Sequence, residues 1–305
     1  MTHAHTPVMK KEVMEKLSPL SGMFLDATFG RGGYTQGILE SKHATVIALD
    51  RDQTAIDYGR THFHQALETG RLCLHHARFS TLSTYVHHES LDGAVFDLGL
   101  SSPQVDEAKR GFSFSKQGPL DMDMGLSQKK ASDLLNTGSE KEIARILFQF
   151  GEERRSRQIA RKIVDKRRTH PFQHTQDVTS LFEGVPHKPG TIHPATRTFQ
   201  ALRLWVNEEL EELTAALTHI THALRPGGRF VCVSFHSLED RLVKQFLKPL
   251  QPTQPSRHVP QSLERPVSPF RVPPRQPQRP QPEEIAHNPR ARSAKLRWAI
   301  REMRS

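Results

Sequence analysis

Three aspartates each close an apolar run in the first third of the chain. Asp26 follows Met23-Phe-Leu, Asp50 follows Ala44-Thr-Val-Ile-Ala-Leu, and Asp97 follows Ala94-Val-Phe. Such runs read as strands of a parallel sheet, and ligands of open α/β sheets bind outside the carboxyl ends of the strands. A single Asp there is ordinarily a turn former or helix cap. Three at successive strand ends mark an edge equipped for chemistry. After Asp26 comes a loop with Gly30, Gly32 and Gly33, then a helical start through Gln36, Ile38 and Leu39. Glycine lets the backbone approach a ligand and permits positive φ. Thr35 stands where a Gly-x-Gly-x-x-Gly fingerprint has its third glycine, and no Gly-Lys-Ser/Thr follows, so the loop is not a phosphate-cradling P-loop. A carboxylate at Asp50 can accept two hydrogen bonds from a ribose diol. That suits NAD and S-adenosylmethionine equally, and the loop by itself is also compatible with a plain tight turn.

The elements that must position these residues alternate. A helix is expected over Lys10–Leu17, strands over 45–50, 71–77 and 92–98, and a helix over 52–66 with Ala55, Ile56 and Phe63 on one face. Two polar, aromatic loops follow Asp97, one around Ser101–Gln104 and one holding Phe112 and Phe114. Loops at that edge carry function more often than structure. From Ser127 helices take over. Ser139-x-x-Glu142 is a capping box. Between Arg154 and Arg168 eight basic residues face the single acid Asp165, with Ile159 and Ile163 as a narrow apolar face. A solvated face is the ordinary outcome of a charge run; the imbalance of sign here favours phosphate contact. A long helix is expected over 196–217, its acids Glu208, Glu209, Glu211 and Glu212 solvated. A Pro-Gly-Gly turn then leads into a fifth strand and a helix capped by Ser237. More than half of the chain's 21 prolines fall in 249–289, which reads as an extended or disordered basic stretch. A last strand over 295–300 is expected at the sheet edge.

The chain of 305 residues carries a net charge of +10, which makes nucleic acid the first candidate partner. No apolar run is long enough to span a bilayer, and the N-terminus lacks a signal-peptide pattern. Cys73 and Cys232, each in an expected strand, read as buried and reduced, which fits a cytoplasmic protein. The histidine pairs His75-His76 and His87-His88 lack metal-site spacing, so no metal is expected.

Strand, glycine loop, helix, an acid ending strand two and a Leu-Arg-Pro-Gly-Gly-Arg turn before strand five together resemble the class I S-adenosylmethionine-dependent methyltransferase fold. The strings Asp26-Ala-Thr-Phe-Gly-Arg-Gly-Gly, Asp97-Leu-Gly-Leu-Ser-Ser-Pro-Gln, Arg110-Gly-Phe-Ser-Phe, Pro194-Ala-Thr-Arg-Thr-Phe-Gln-Ala, Ser234-Phe-His-Ser-Leu-Glu-Asp-Arg and Asn288-Pro-Arg-Ala-Arg-Ser are more specific. They resemble the bacterial small-subunit ribosomal RNA cytosine-N4 methyltransferase family, in order and across nearly the whole chain. Tyr34 stands where that family usually has His, and Asp123 where it usually has Arg.

The resemblance implies a Rossmann-like α/β sheet with an inserted helical substrate-recognition domain. The expected divisions are a methyltransferase part at 1–126, a helical insertion at 127–198, a second methyltransferase part at 199–248, the Pro-rich segment at 249–289 and a C-terminal strand at 290–305. It implies S-adenosyl-L-methionine as cofactor, held by Gly32, Gly33, Tyr34, Asp50, Phe79, Asp97 and Gln104, with Asp97 also the candidate for activating the amine. Its implied partner is small-subunit ribosomal RNA or the assembled subunit; the oligomeric state is left open. Phe112 or Phe114 could stack on the base, or both could be core. Two other readings share part of this pattern: a nicotinamide-dependent oxidoreductase would keep the loop and Asp50, and a non-catalytic RNA-binding protein would keep the basic surface.

Overall fold

A computed structural model describes residues 7–186, 193–247, 269–271 and 276–302. In chain order the elements are α1 (Lys10–Leu17), β1 (Gly22–Asp26), α2 (Gly33–Leu39), β2 (Ala44–Asp50), α3 (Gln53–His62), α4 (His64–Glu68), β3 (Leu72–His76) and β4 (Leu91–Asp97). Then come α5 (Ser102–Asp106), α6 (Ala131–Thr137), α7 (Glu140–Gly151), α8 (Ser156–Arg167), α9 (Thr175–Thr179), α10 (Thr196–Asn207) and α11 (Glu209–Ala223). β5 (Leu224–Ser234), α12 (Ser237–Leu247), β6 (Phe270–Arg271), α13 (Pro282–His287) and β7 (Lys295–Arg301) complete the chain. The molecule divides into two compact units, one made of Met1–Gly99 with Leu210–Ser305, the other of Leu100–Glu209.

The first unit holds one sheet in the order β3-β2-β1-β4-β5-β7-β6. The strands from β3 to β5 run parallel, and β7 is antiparallel to both β5 and β6. Strand alternation sends neighbouring side chains to opposite faces. Leu25, Phe96 and Phe230 join one apolar layer with Leu213 and Leu217, while Phe24, Val95 and Val231 join the other with Val13, Leu17 and Ile38. Both faces are covered, so the central strands carry near-continuous apolar runs. The chain order reverses between β1 and β4, which opens the crevice where such sheets bind ligands. Asp26, Asp50 and Asp97 end β1, β2 and β4 at that edge.

The second unit has its own core, built from Phe112, Leu120 and Met122 with Ile143, Ile146, Leu147, Ile163 and Leu202. The expectation began the insertion at residue 127 and ended it at 198. The compact unit is longer at both ends because the loop 111–124 puts Phe112, Leu120, Met122 and Met124 into its core, and α10 packs there through Leu202 and Val206. Phe112, 7% exposed, is therefore a core side chain and does not present its ring for stacking.

Other expectations are revised locally. The 52–66 helix divides at Phe63, whose ring packs edge-on against Phe29 at 5.5 Å. The 196–217 helix divides at Glu208, which takes a left-handed conformation (φ 53°) and ends α10. The acids after it are mostly paired rather than solvated. Arg203 grips Glu209 through two bonds of 2.8 and 3.0 Å, Lys129 meets Glu208 at 2.6 Å, and the buried Glu212 meets Arg78 at 3.0 Å. Cys232 is buried but Cys73 is exposed, because β3 is the edge strand of the sheet. At the other edge lies β6, not β7, which is paired on both sides. The Pro-rich stretch is in part regular: Pro282 opens α13, and Glu284 Oε1 accepts the Met9 N–H at 2.7 Å. Residues 249–268 and 272–275 of that stretch lie outside the described residues.

Candidate active site

β1 delivers Asp26 into full burial. Its Oδ2 accepts the Thr35 hydroxyl at 2.7 Å and its Oδ1 the Thr28 N–H at 3.3 Å. Thr35, at the third-glycine position, thus anchors α2 to the end of β1. Burial pushes the Asp26 carboxyl up to about 6, against those two hydrogen bonds. Asp50 ends β2 and is partly exposed. Its Oδ2 accepts the Gly30 N–H at 2.7 Å and its Oδ1 the Asp52 N–H at 2.8 Å, so the carboxylate ties the glycine loop to the start of α3. Desolvation raises it also to about 6. A carboxylate has about four lone-pair sites; two are used, and each oxygen keeps one for a ligand hydroxyl.

The three glycines play different parts. A Cβ on Gly32 would sit 2.5 Å from Phe63 and one on Gly33 2.6 Å from Pro7, so both pack against the chain itself. Gly32 also requires its positive φ of 71°. Gly30 faces open space, with only Thr28 O within 4 Å. Gly30, the first glycine of the fingerprint, thus has an open side although it was not assigned to cofactor contact from sequence.

Asp97 ends β4 opposite Val233 of β5. Its backbone N–H donates to Thr28 Oγ1 at 2.7 Å, and its Oδ1 is buried without a hydrogen-bond partner among the described residues. Burial first, then the charges of Asp26 and Glu239, lift its carboxyl well above the usual range, while the Tyr34 hydroxyl beside it pulls the other way. That hydroxyl has one proton and donates it to Val8 O at 2.5 Å, so Asp97 keeps an unsatisfied oxygen. Glu239, a buried acid near this edge, lies in the Ser234–Arg241 string, which assigns it no role. Its Oε2 accepts the N–H groups of Phe235 and His236 at the start of α12, the pattern of a capping box.

Phe79 opens a 3-10 turn after β3 and is half-buried, its ring centroid 5.9 Å from that of Phe96. Gln104 belongs to the second unit. It is buried in α5, and its Oε1 accepts the Ser101 N–H at 2.9 Å in a capping box. Gly32, Gly33, Tyr34, Asp50, Phe79 and Asp97 all lie in the first unit.

Three carboxylates at one sheet edge, Asp26 fully buried and Asp50 and Asp97 partly so, favour a ligand that brings hydroxyl donors and positive charge. A ribose diol at Asp50 and a sulfonium or ammonium nearby meet that demand. A pyrophosphate would meet repulsion from the same acids, which counts against a dinucleotide. The parallel sheet with its β1/β4 reversal, the antiparallel β7 and this acidic edge define a class I methyltransferase.

The narrower assignment follows from comparison with known proteins. The model of the MraW methylase family matches residues 2–302. A protein from Beijerinckia indica named ribosomal RNA small subunit methyltransferase H is 50% identical over 304 residues, 97% of this chain and 85% of that one. One of the same name from Bradyrhizobium diazoefficiens is 48% identical over 303 residues, 97% of this chain and 91% of that one. A solved rRNA methylase from Streptococcus thermophilus aligns over 98% of this chain and 100% of its own, with 12% identity and a TM-score of 0.43. The chain belongs to the MraW methylase family.

Proposed function

We propose that the protein transfers a methyl group from S-adenosylmethionine to the exocyclic N4 amine of a cytidine in small-subunit ribosomal RNA. The observation that carries this reading is the buried, unpartnered Oδ1 of Asp97 at the end of β4, within a chain of this family. When bound, S-adenosylmethionine supplies a methyl group already activated by its sulfonium. The chain's own residues do the rest. Asp50 accepts the ribose hydroxyls with its two remaining lone pairs. Gly30 leaves room above the loop, and Phe79 offers an aromatic face beyond β3.

The N4 amine is a weak nucleophile because its lone pair is delocalised into the ring. Asp97 Oδ1 accepts one of the amine's hydrogens, which favours a pyramidal nitrogen and directs its lone pair. A ring nitrogen or carbon target would not use an acceptor in this way. The base must be unstacked to reach such a site, which is easiest in single-stranded or distorted RNA. The second unit holds the RNA: Arg154, Arg155, Arg157 and Arg161 of the α8 region are exposed, and their side chains have no partner among the described residues. Its partner is small-subunit ribosomal RNA, either free or in the assembled subunit. No helix among the described residues is long and apolar enough to cross a membrane.

The test is methyl transfer from labelled S-adenosylmethionine to small subunits from a strain lacking the protein, with naked ribosomal RNA alongside. Label in N4-methylated cytidine on subunits supports the reading in full. Label in another nucleoside overturns the base assignment, and label on naked RNA alone overturns the subunit as substrate.

A further inference from the structure

The second unit contains a cleft of about 450 Å³ walled by Arg154, Arg155 and Arg197 on its polar side and by Val185, Pro186 and Pro194 on its apolar side. Its size falls within the roughly 300–1,000 Å³ typical of small-ligand sites. Three arginines on a surface are ordinarily a solvated face; here they converge on one concavity. Arg154 and Arg155 are exposed and their guanidinium groups lack partners among the described residues. Arg197 donates through Nη1 to Glu152 O at 3.3 Å, which orients the planar head and leaves its other nitrogens available.

Glu153 is the one acid among the described lining residues. It is buried, and its Oε1 accepts the Arg155 N–H at 2.8 Å, so it fixes the local backbone and leaves a net positive wall. His193 completes the lining as a fixed edge, its ring stacked on Phe114 at 4.7 Å and its Nδ1 accepting the Ala195 N–H at 3.2 Å. The cleft also borders the start of α8. Arg155 is the N-cap of that 12-residue helix and makes no side-chain cap hydrogen bond. The Ser156 N–H donates to Glu153 O at 3.2 Å; the remaining first-turn N–H groups lack intrahelical partners, and with the positive end of the dipole they favour an anion.

From this convergence we infer that the cleft captures one nucleotide of the substrate RNA. Its phosphate is held by Arg154, Arg155 and Arg197, and its base lies against Pro186, Pro194 and Val185. The inference rests on the reading of ribosomal RNA as substrate and adds a specific contact to it. An arginine head suits this role because its planar donors match phosphate oxygens in pairs.

The test uses the full-length protein, with Arg155→Gln/Arg197→Gln against Lys42→Gln/Arg60→Gln, which removes the same charge elsewhere. All variants are first checked for an unchanged thermal melt and unchanged S-adenosylmethionine affinity. RNA affinity is measured by anisotropy on a labelled small-subunit RNA fragment across a salt series, and methyl transfer on subunits in parallel. The cleft variant should weaken RNA binding by about tenfold or more and lower the salt slope by up to about one relative to the control pair, as expected for one lost phosphate contact. Its KM for subunits should rise while kcat holds. Arg155→Lys/Arg197→Lys should recover the salt slope but only part of the affinity. Equal binding and equal slopes for the cleft and control variants would overturn the inference while wild-type methylation still stands. Wild-type RNA binding without methyl transfer would overturn the function and leave the cleft to be judged on binding alone.

Discussion

At the residue scale the acids at the strand ends are not equivalent. Asp26 is occupied by Thr35 and Thr28 and serves the backbone, whereas Asp97 retains an oxygen without a partner among the described residues. Removing that acceptor should cost at least about 10²-fold in turnover, by the scale of positioned side chains at reacting protons. Single-turnover methylation by Asp97→Ala would show it, and wild-type turnover would remove Asp97 from the mechanism. Asp50 makes a two-sided prediction. Its folded value of about 6 lies above the ordinary 3.8, so its contribution to stability is full below that ordinary value and is lost as pH rises through about 6. Asp50→Asn should therefore gain melting temperature over wild type above pH 6 compared with pH 4. The same change should weaken S-adenosylmethionine binding. In the wild type the ionised carboxylate is the form that accepts hydroxyls and favours a cation, so affinity should be flat above about pH 6 and fall by up to about tenfold per unit below it. Calorimetric titrations at pH 5, 6 and 8 with both proteins would decide.

At the element scale the helical unit depends on one polar side chain with no sequence signature. Asn207, fully buried at the end of α10, donates through Nδ2 to Met122 O at 2.7 Å and Arg203 O at 2.9 Å, and accepts the Met124 N–H at 2.9 Å through Oδ1. It holds the loop that carries Met122 and Met124 into the core. Asn207→Ala leaves two buried backbone groups, Met122 O and the Met124 N–H, without this partner and should cost about 2–4 kcal/mol, at the upper end for lost buried hydrogen bonds. Denaturant unfolding of the pair would measure it. The basic helix α8 is likewise divided in use. Arg167 donates to Leu135 O and Gly138 O, and Lys166 to Asp177 O, so these two close neighbouring carbonyls and are poor candidates for RNA. Counting charges along the sequence could not separate them from Arg157 and Arg161.

At the scale of the whole molecule, the continuous segment Leu100–Glu209 is inserted into a unit assembled from two distant pieces of chain. Because the inserted unit has its own core, residues 100–209 expressed alone should unfold cooperatively on heating; a featureless melt by circular dichroism would show that it needs the rest of the chain. What the sequence by itself determined is local and periodic. Apolar runs ending in acids marked β1, β2 and β4, the glycine loop marked the turn into α2, and Ser139 with Glu142 marked the start of α7, where the Ser139 side chain accepts the Glu142 N–H. Those signals depend on neighbours a few residues apart, and the motif strings carried the family. Only tertiary structure decided what depends on partners far along the chain. Phe112 became core, Glu212 found Arg78 across 134 residues, and a side chain at Gly32 or Gly33 would strike Phe63 or Pro7 while Gly30 keeps an open side. Burial and pairing are properties of contacts formed only on folding, so neither the raised pKa of Asp50 nor the unsatisfied oxygen of Asp97 is written in the sequence around it.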